Sequence, residues 1–424
     1  MLCAQKESAL LTLRIAKSKR VSCMHNTNLK LTSRSSYKII TVGASLKRKD
    51  GISRVVSELS MFFEEKLLIV TDSYVPSLTY ELSGKSYILR AGHEKLSVIH
   101  FIEEIIILIA LMLRLKRQKI INVTHNFYSA MLASVLKMLF PWKIKIYCFI
   151  YDIEPLRLLD SYSQLKPVKW LFTYLLKLGV IDTILVLDKR MAKSVHESLS
   201  TNKVFITRVG VSSSLIALQH KIMSGTLPMP ETLQYALKKG KNSIKLFFHG
   251  ILFPKRRVED LILALNDVIK IEPDVVLYIS GALDWDISYV NYLVNLVKKL
   301  RCSDHVYFLG PLSDEELAYM YYKTDIFIFP CDEQTWGLAP LEAMLFGKPA
   351  IVSTGTGVSE VLNDSVAILF PPKRILSLKE AILQLIKNEN LRKRIGTNAQ
   401  QYVVTKLTFK NTAKELMKLW AIIS

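Results

Sequence analysis

"DIFIFPCDEQTWGLAPLEAMLFGKPAIVS", Asp325–Ser353, holds a strand, a loop, a short helix and the start of a second strand. Asp325–Pro330 is a continuous apolar run of strand length, as a strand covered on both faces of a parallel sheet requires. Cys331–Ala339 reads as the loop at its carboxyl end, and Pro340 suits the first helical position because its missing N–H would find no partner there. Glu342 then falls in the first helical turn among Leu341, Ala343, Met344, Leu345 and Phe346, where its charge complements the positive helix end. The helix stops at Gly347-Lys348-Pro349, and Pro349–Ser353 begins the next strand. This is the repeating unit of an α/β protein, whose ligands bind in loops at the carboxyl ends of the strands.

The same alternation runs through the whole chain. Before the opening stretch, strands are expected at Lys38–Gly43, Lys66–Thr71, Lys119–Thr124, Lys143–Tyr151, Thr183–Asp188 and Lys203–Val209. Ile244–Gly250, Val275–Gly281, Val306–Gly310, Asp325–Pro330, Pro349–Ser353 and Val366–Phe370 form a second set. Between them lies a polar stretch with Gly and Pro, from about Gln219 to Asn242, which reads as a domain boundary. A chain of 424 residues exceeds what one core supports, so two domains of about 200 residues each are expected. We place a basic tail at 1–36, an N-terminal Rossmann-like domain at 37–218, a linker at 219–243 and a C-terminal Rossmann-like domain at 244–424. Two such halves leave a cleft between the carboxyl ends of facing sheets.

Composition narrows the class. Half the residues are hydrophobic and 22% are charged, which excludes a disordered or fibrous chain. The net charge is +20, and the first 50 residues contain 11 basic and 2 acidic side chains. Such a field attracts phosphates, nucleic acids or anionic lipid. A nucleic-acid binder would interleave aromatics with the bases, whereas Arg14–Lys49 contains only Tyr37. The tail reads as mobile, with a targeting peptide, a surface-binding arm or an untranslated extension ahead of Met24 as the alternatives. The five cysteines form no CxxC pair or metal spacing, which fits a reducing, cytoplasmic setting. The longest apolar run, Ile105–Leu113, falls short of the about 20 residues that span a bilayer. It reads as a helix packed on the sheet, or as a basic-flanked helix on a membrane surface.

At the loop and first turn of the opening stretch, the Glu342 carboxylate can accept two hydrogen bonds from a vicinal diol such as a ribose. The N–H groups around Leu338 and Ala339 can hold a diphosphate. The run from Trp336 to Leu362 resembles the signature of family 4 glycosyltransferases, which are retaining, use nucleotide-sugar donors and have the GT-B fold, two Rossmann-like domains facing across a cleft. Trp336, Gly337, Leu338, Leu341, Glu342, Ala343, Met344, Gly347, Pro349, Gly357 and Glu360 match in order. The resemblance implies that Glu342 binds the donor ribose. It also implies a sugar-facing acid eight residues earlier, where this chain has Gln334, with Glu333 as a substitute if the loop bulges.

A second match, Phe247–Leu265, resembles the strand, turn and helix that carry the family's donor-phosphate cations. Gly250 is retained, Ile251 stands where the family has Arg, and Arg256 stands where it has Lys, with Lys255 beside it. Guanidinium supplies the charge a departing diphosphate needs, in bidentate geometry. In the N-terminal half, Val42–Val56 resembles the family's strand and Gly-Gly loop. Gly51 is the residue carried over from it, because only a residue without Cβ lets backbone approach that closely. His125 follows a strand, and Tyr151-Asp152 stands where the family often has His-Asp. Gly210 and Val211 resemble the segment that closes the first domain, and the last helix is expected to cross back to that domain.

Asp284-Trp285-Asp286 lies in a loop and reads as a helix cap rather than a metal site; no metal or other cofactor is expected. The resemblance thus implies a glycosyltransferase, a hexosyltransferase by preference, that moves a sugar to an acceptor hydroxyl in glycolipid, lipid-linked oligosaccharide or surface polysaccharide synthesis. The expected partners are a nucleotide-sugar donor, a glycan or lipid-linked acceptor and an anionic membrane surface, with no nucleic acid. The expected location is cytoplasmic, on the membrane's cytosolic face. The rival readings are a GT-B nucleotide-sugar epimerase and a non-enzymatic protein that binds nucleic acid or an anionic surface.

Overall fold

The strands sort into two sheets, described here from a computed structural model. It describes residues 37–42, 55, 58, 59, 62, 68–71, 79–83, 86–90, 109, 119–124, 127–142, 144–151, 166–238, 240 and 242–423. The N-terminal sheet contains β1 (Tyr37–Val42), β2 (Leu68–Thr71), β3 (Thr79–Ser83), β4 (Ser86–Arg90), β5 (Lys119–Thr124), β6 (Ile144–Phe149), β7 (Thr183–Val186) and β8 (Val204–Ile206). Their order is β3-β4-β2-β1-β5-β6-β7-β8, parallel throughout except for the antiparallel β3–β4 pair. The C-terminal sheet contains β9 (Ile244–His249), β10 (Val275–Ser280), β11 (Val306–Gly310), β12 (Ile326–Phe329), β13 (Ala350–Ser353) and β14 (Ala367–Phe370). It is wholly parallel, in the order β11-β10-β9-β12-β13-β14.

All twelve expected strands are present, most of them shorter than the apolar runs that announced them. Those runs are continuous because both faces are covered: every residue of β7, β10, β12 and β13 is buried. The β3–β4 pair was not anticipated. Tyr80 and Leu82 alternate with polar residues in β3 and only Tyr87–Leu89 is apolar in β4, so a search for long unbroken apolar runs passes over the pair.

The stretch expected as a linker, 219–243, is largely helical, with the end of helix Ser213–Met223 and the whole of Glu231–Lys238. Buried Leu233 and Leu237 anchor the second helix, and the buried Gln219 amide donates to the Leu345 carbonyl. Polar composition here marks exposed helix faces rather than a loop. Farther on, Asp286 caps helix Ile287–Lys299 through the Tyr289 N–H at 2.9 Å, as the cap reading of that triplet expects.

The chain crosses between the lobes twice at one place. Val211 N–H donates to the Leu407 carbonyl at 2.8 Å, and Phe409 N–H donates back to the Val211 carbonyl at 3.2 Å. Gly210 permits this contact, since a Cβ there would lie 2.1 Å from the Leu407 backbone. Helix Phe409–Ile423 then packs on the N-terminal lobe, with Thr412 Oγ1 donating to the Arg208 carbonyl at 2.8 Å and Trp420 against Tyr147. The last helix thus packs against the N-terminal lobe.

Candidate functional site

β9 is flanked by β10 on one side and β12 on the other, so the strand order reverses beside it. Crevices at such reversals receive ligands, because the loops leaving the two neighbouring strands part there. A cavity of about 520 Å³ opens at this point, lined by His249, Gly250 and Ile251 after β9 and by Gln334–Ala339 after β12. Val55, Tyr151, Leu187 and Val209 close it from the N-terminal lobe.

Ala339 opens the short helix Ala339–Leu345 and Pro340 stands second, one place later than expected. No side chain caps its start. Glu342 is 4% exposed, reaches the cavity wall and accepts a hydrogen bond from the buried Tyr321 hydroxyl at 2.8 Å. A carboxylate buried to that degree needs such a donor. Tyr321 also stacks on Phe346, so the helix and its carboxylate are braced from the same side.

Of the three adjacent bases, one faces the cavity. Pro254–Arg256 forms a single 3-10 turn that directs Arg256 inward, where its Nη1 donates to Gln334 Oε1 and lies 3.8 Å from the Cys331 sulfur. The guanidinium sits 5.0 Å from the Phe253 ring centre and 6.0 Å from that of Phe329. Its Nε is buried and has no hydrogen-bond partner among the described residues. Burial pushes the Cys331 thiol up to about 11 despite this cation, so it stays protonated at neutral pH.

Arg257 takes a left-handed backbone, φ 53°, and turns to Glu259 and Asp260 instead. Lys255 does not line the cavity, and its Nζ lies 3.6 Å from Glu333 Oε2 with both side chains about half exposed. Glu333 itself has φ 54° and is absent from the cavity wall, so it does not replace Gln334 there. Gln334, Tyr151, Gly250, Arg256, Gly337, Leu338, Ala339 and Glu342 are brought together. Gly51, His125 and Asp152 lie outside the described residues.

Sequence reading missed His249, whose ring ends β9 at the cavity with Nδ1 2.8 Å from Ser280 Oγ. Its only signal was a polar residue closing an apolar strand ahead of a Gly. A set of cross-lobe contacts was also missed. Arg190 donates from Nη1 to the Gly355 carbonyl and from Nη2 to the Gln334 carbonyl, both at 2.7 Å. Lys189 N–H donates to both oxygens of Glu360 at 3.0 Å, and the Trp336 indole donates to the Val209 carbonyl at 2.8 Å. The matched Trp336 and Glu360 thus tie the loops after β12 and β13 to the N-terminal lobe.

Asp188 lies among these contacts, fully buried, as the N-cap of helix Lys189–Leu199. Burial holds its carboxyl above the usual carboxylate range, with Glu360 adding to the rise while Met191 N–H and Arg190, at 3.9 Å, oppose it. A folded value above the unfolded one gives stability that is full in acid and lost as pH rises through the folded value. Asp188→Asn keeps a good N-cap and removes the charge. Its melting temperature, measured from pH 4 upward, is expected to gain on the parent's as pH rises; a parallel course would show that Asp188 does not titrate in this range.

The comparisons with known proteins meet this geometry. Residues 231–402 match the model of the glycosyl transferases group 1 family. An uncharacterized glycosyltransferase of Methanocaldococcus jannaschii is 32% identical over 190 residues, 43% of this chain and 46% of that one. The O-antigen chain mannosyltransferase B of Escherichia coli is 25% identical over 222 residues, 48% of this chain and 56% of that one. The alignments thus span about half the length of these curated relatives. Among solved structures, Anabaena HepE in complex with UDP superposes with a TM-score of 0.70 at 14% identity, covering 91% of this chain and 99% of that one. Sucrose-phosphate synthase from Thermosynechococcus elongatus gives 0.67 at 16%, covering 91% and 99%. The fold is GT-B, two Rossmann-like α/β domains facing across a cleft.

Proposed function

We propose that the chain is a glycosyltransferase that moves a sugar from a nucleoside-diphosphate donor, held in this cavity, to an acceptor hydroxyl with retained anomeric configuration. One observation carries the reading: the buried Glu342 carboxylate and the Arg256 guanidinium line the same interlobe cavity. Glu342 would accept from the ribose hydroxyls, with Tyr321 keeping its carboxylate in place. Arg256 would balance the charge on the departing diphosphate. The bond from the sugar's anomeric carbon to phosphate breaks, that carbon bonds to the acceptor oxygen on the same face, and the acceptor proton passes to the leaving diphosphate. In this reading the Arg256 guanidinium supplies positive charge to the leaving group. HepE, solved with UDP, supports a nucleotide in this cleft.

Because the positive charge concentrates toward the N-terminus, the acceptor proposed is a lipid-linked glycan met at an anionic surface. The test is a thermal-shift series with UDP, GDP and ADP, followed by diphosphate release from the matching sugar nucleotides. One nucleotide is expected to stabilise the protein, by about 2.7 kcal/mol at 100 times its Kd, and Glu342→Ala to remove that stabilisation. No shift with any nucleotide, or an unchanged shift in Glu342→Ala, would overturn the reading.

A further inference from the structure

Away from the cleft, the N-terminal lobe leaves an unusual set of side chains in solvent. Helix Lys166–Lys177 buries Phe172, Leu175 and Leu176, yet Trp170, Tyr174 and Leu178 are exposed at 66%, 46% and 58%. These three recur every fourth residue and form one stripe on the helix's outer face, with Trp170 and Tyr174 stacked at 5.4 Å between ring centres. The stripe meets a second group. Lys137, near the end of helix Phe127–Leu139, donates to the Gly179 carbonyl at 3.1 Å, which sets the two helix ends side by side. Met138, Leu139 and Trp142 emerge there, 57%, 52% and 79% exposed.

Among the described residues, the charge beside these six apolar side chains is mostly positive. Lys145 and Lys177 adjoin them in sequence, Lys203 Nζ donates to the Leu176 carbonyl at 2.8 Å, and the neighbouring acid, Asp182, is 11% exposed and paired with Lys137 and Lys145. Exposed Trp and Tyr with Leu and Met, ringed by lysines, match the layered chemistry of an anionic bilayer surface. The rings enter the headgroup level while lysine stems lie along the apolar boundary with their ammonium groups at the phosphates. A protein partner would have to bring its own carboxylates to these lysines, whereas an anionic bilayer presents phosphate along the whole rim. A lipid surface asks only for this layering.

We infer that this face docks the protein on an anionic membrane through Trp142 and the Trp170–Tyr174–Leu178 stripe. Both helices end at the starts of β6 and β7, whereas the cavity residues Tyr151 and Leu187 follow the ends of those strands. None of these exposed side chains lines the cavity, so docking leaves the cleft free to receive a soluble donor. No helix among the described residues is long and apolar enough to cross a membrane, so the contact is peripheral. The inference deepens the proposed function by naming where a lipid-linked acceptor would be met. Its readout needs no sugar transfer, so the two can fail separately.

The full chain is sedimented with vesicles of phosphatidylcholine alone, or containing about one third phosphatidylglycerol. Binding to the anionic vesicles with a blue shift in tryptophan emission is expected, and a loss of about tenfold in the Trp142→Ala/Trp170→Ala variant. Trp285→Ala, an exposed Trp on the other lobe, should bind as the parent does. Lys177→Glu should reduce the preference for anionic lipid. The inference is overturned if no vesicle binds, or if the double Trp variant binds as the parent does, which would assign binding to the basic N-terminal segment. It is also overturned if light scattering finds a dimer that the double variant dissolves while vesicles are ignored, which would assign the face to a second copy.

Discussion

Arg256→Met is expected to lower kcat/KM for sugar-nucleotide turnover by about 10² to 10³, the loss seen when one preorganised donor to a developing charge is removed. The guanidinium is fixed before any donor arrives, between the Phe253 and Phe329 rings and by its bond to Gln334. Its charge therefore costs little reorganisation when the diphosphate departs. Arg256→Lys should recover part of the rate, because a point charge reaches the phosphate without the planar fork that two rings and an amide now orient. The loss should fall mainly on kcat if the contact strengthens as the leaving group charges. A variant with parental turnover would remove Arg256 from the reaction.

Gly357→Ala should have the largest effect on structure. A Cβ at that position would lie 1.6 Å from the Thr335 carbonyl oxygen and 2.3 Å from Asp188 Oδ2. The nearer neighbour is backbone, in a loop bonded to this segment on both sides, and the other is the end of a buried side chain held as an N-cap by Met191 N–H. Gly357 N–H donates to the Gln334 carbonyl and Val358 N–H to that of Trp336, both at 2.9 Å. Displacing the loop would strain the Trp336–Val209 and Arg190–Gln334 bonds together. We expect a destabilisation of about 3 kcal/mol, read by chemical denaturation. Nucleotide-induced stabilisation should be lost even where the variant is fully folded. Parental stability would show that loop 334–336 can move aside cheaply.

Part of this cavity was legible in the sequence. Glu342 was read from the helix that follows its strand and Arg256 from the family resemblance, and both line the cavity at strand ends, where a parallel sheet presents its loops. What sequence could not give is the sense of a single side chain within a loop. Glu333 and Gln334 are adjacent, and a left-handed backbone at Glu333, with the bridge between Gln334 and Thr356, decides which one faces the cavity. The same holds for Lys255, Arg256 and Arg257, which one tight turn sends to three different partners.

Tyr321, Asp188 and Arg190 were invisible for another reason. Their roles arise from contacts between distant segments, such as the 171 residues separating Lys189 from Glu360. Polar side chains next to apolar runs look alike until the lobes meet. The helices within 219–243 went unread because its Gly and Pro drew notice first, although the leucines at positions 233 and 237, which are buried, carry a helical spacing.

The paired crossings at Gly210–Val211 and Leu407–Phe409 act mechanically as an axle. Two parallel tethers, bonded to each other, resist sliding and twisting of one lobe over the other, while they leave rotation about the line between them. Approach and retreat of Arg190 and Trp336 would then follow a single arc. Substitutions that loosen this pivot would spread the closed state over many orientations without touching any group that meets the nucleotide.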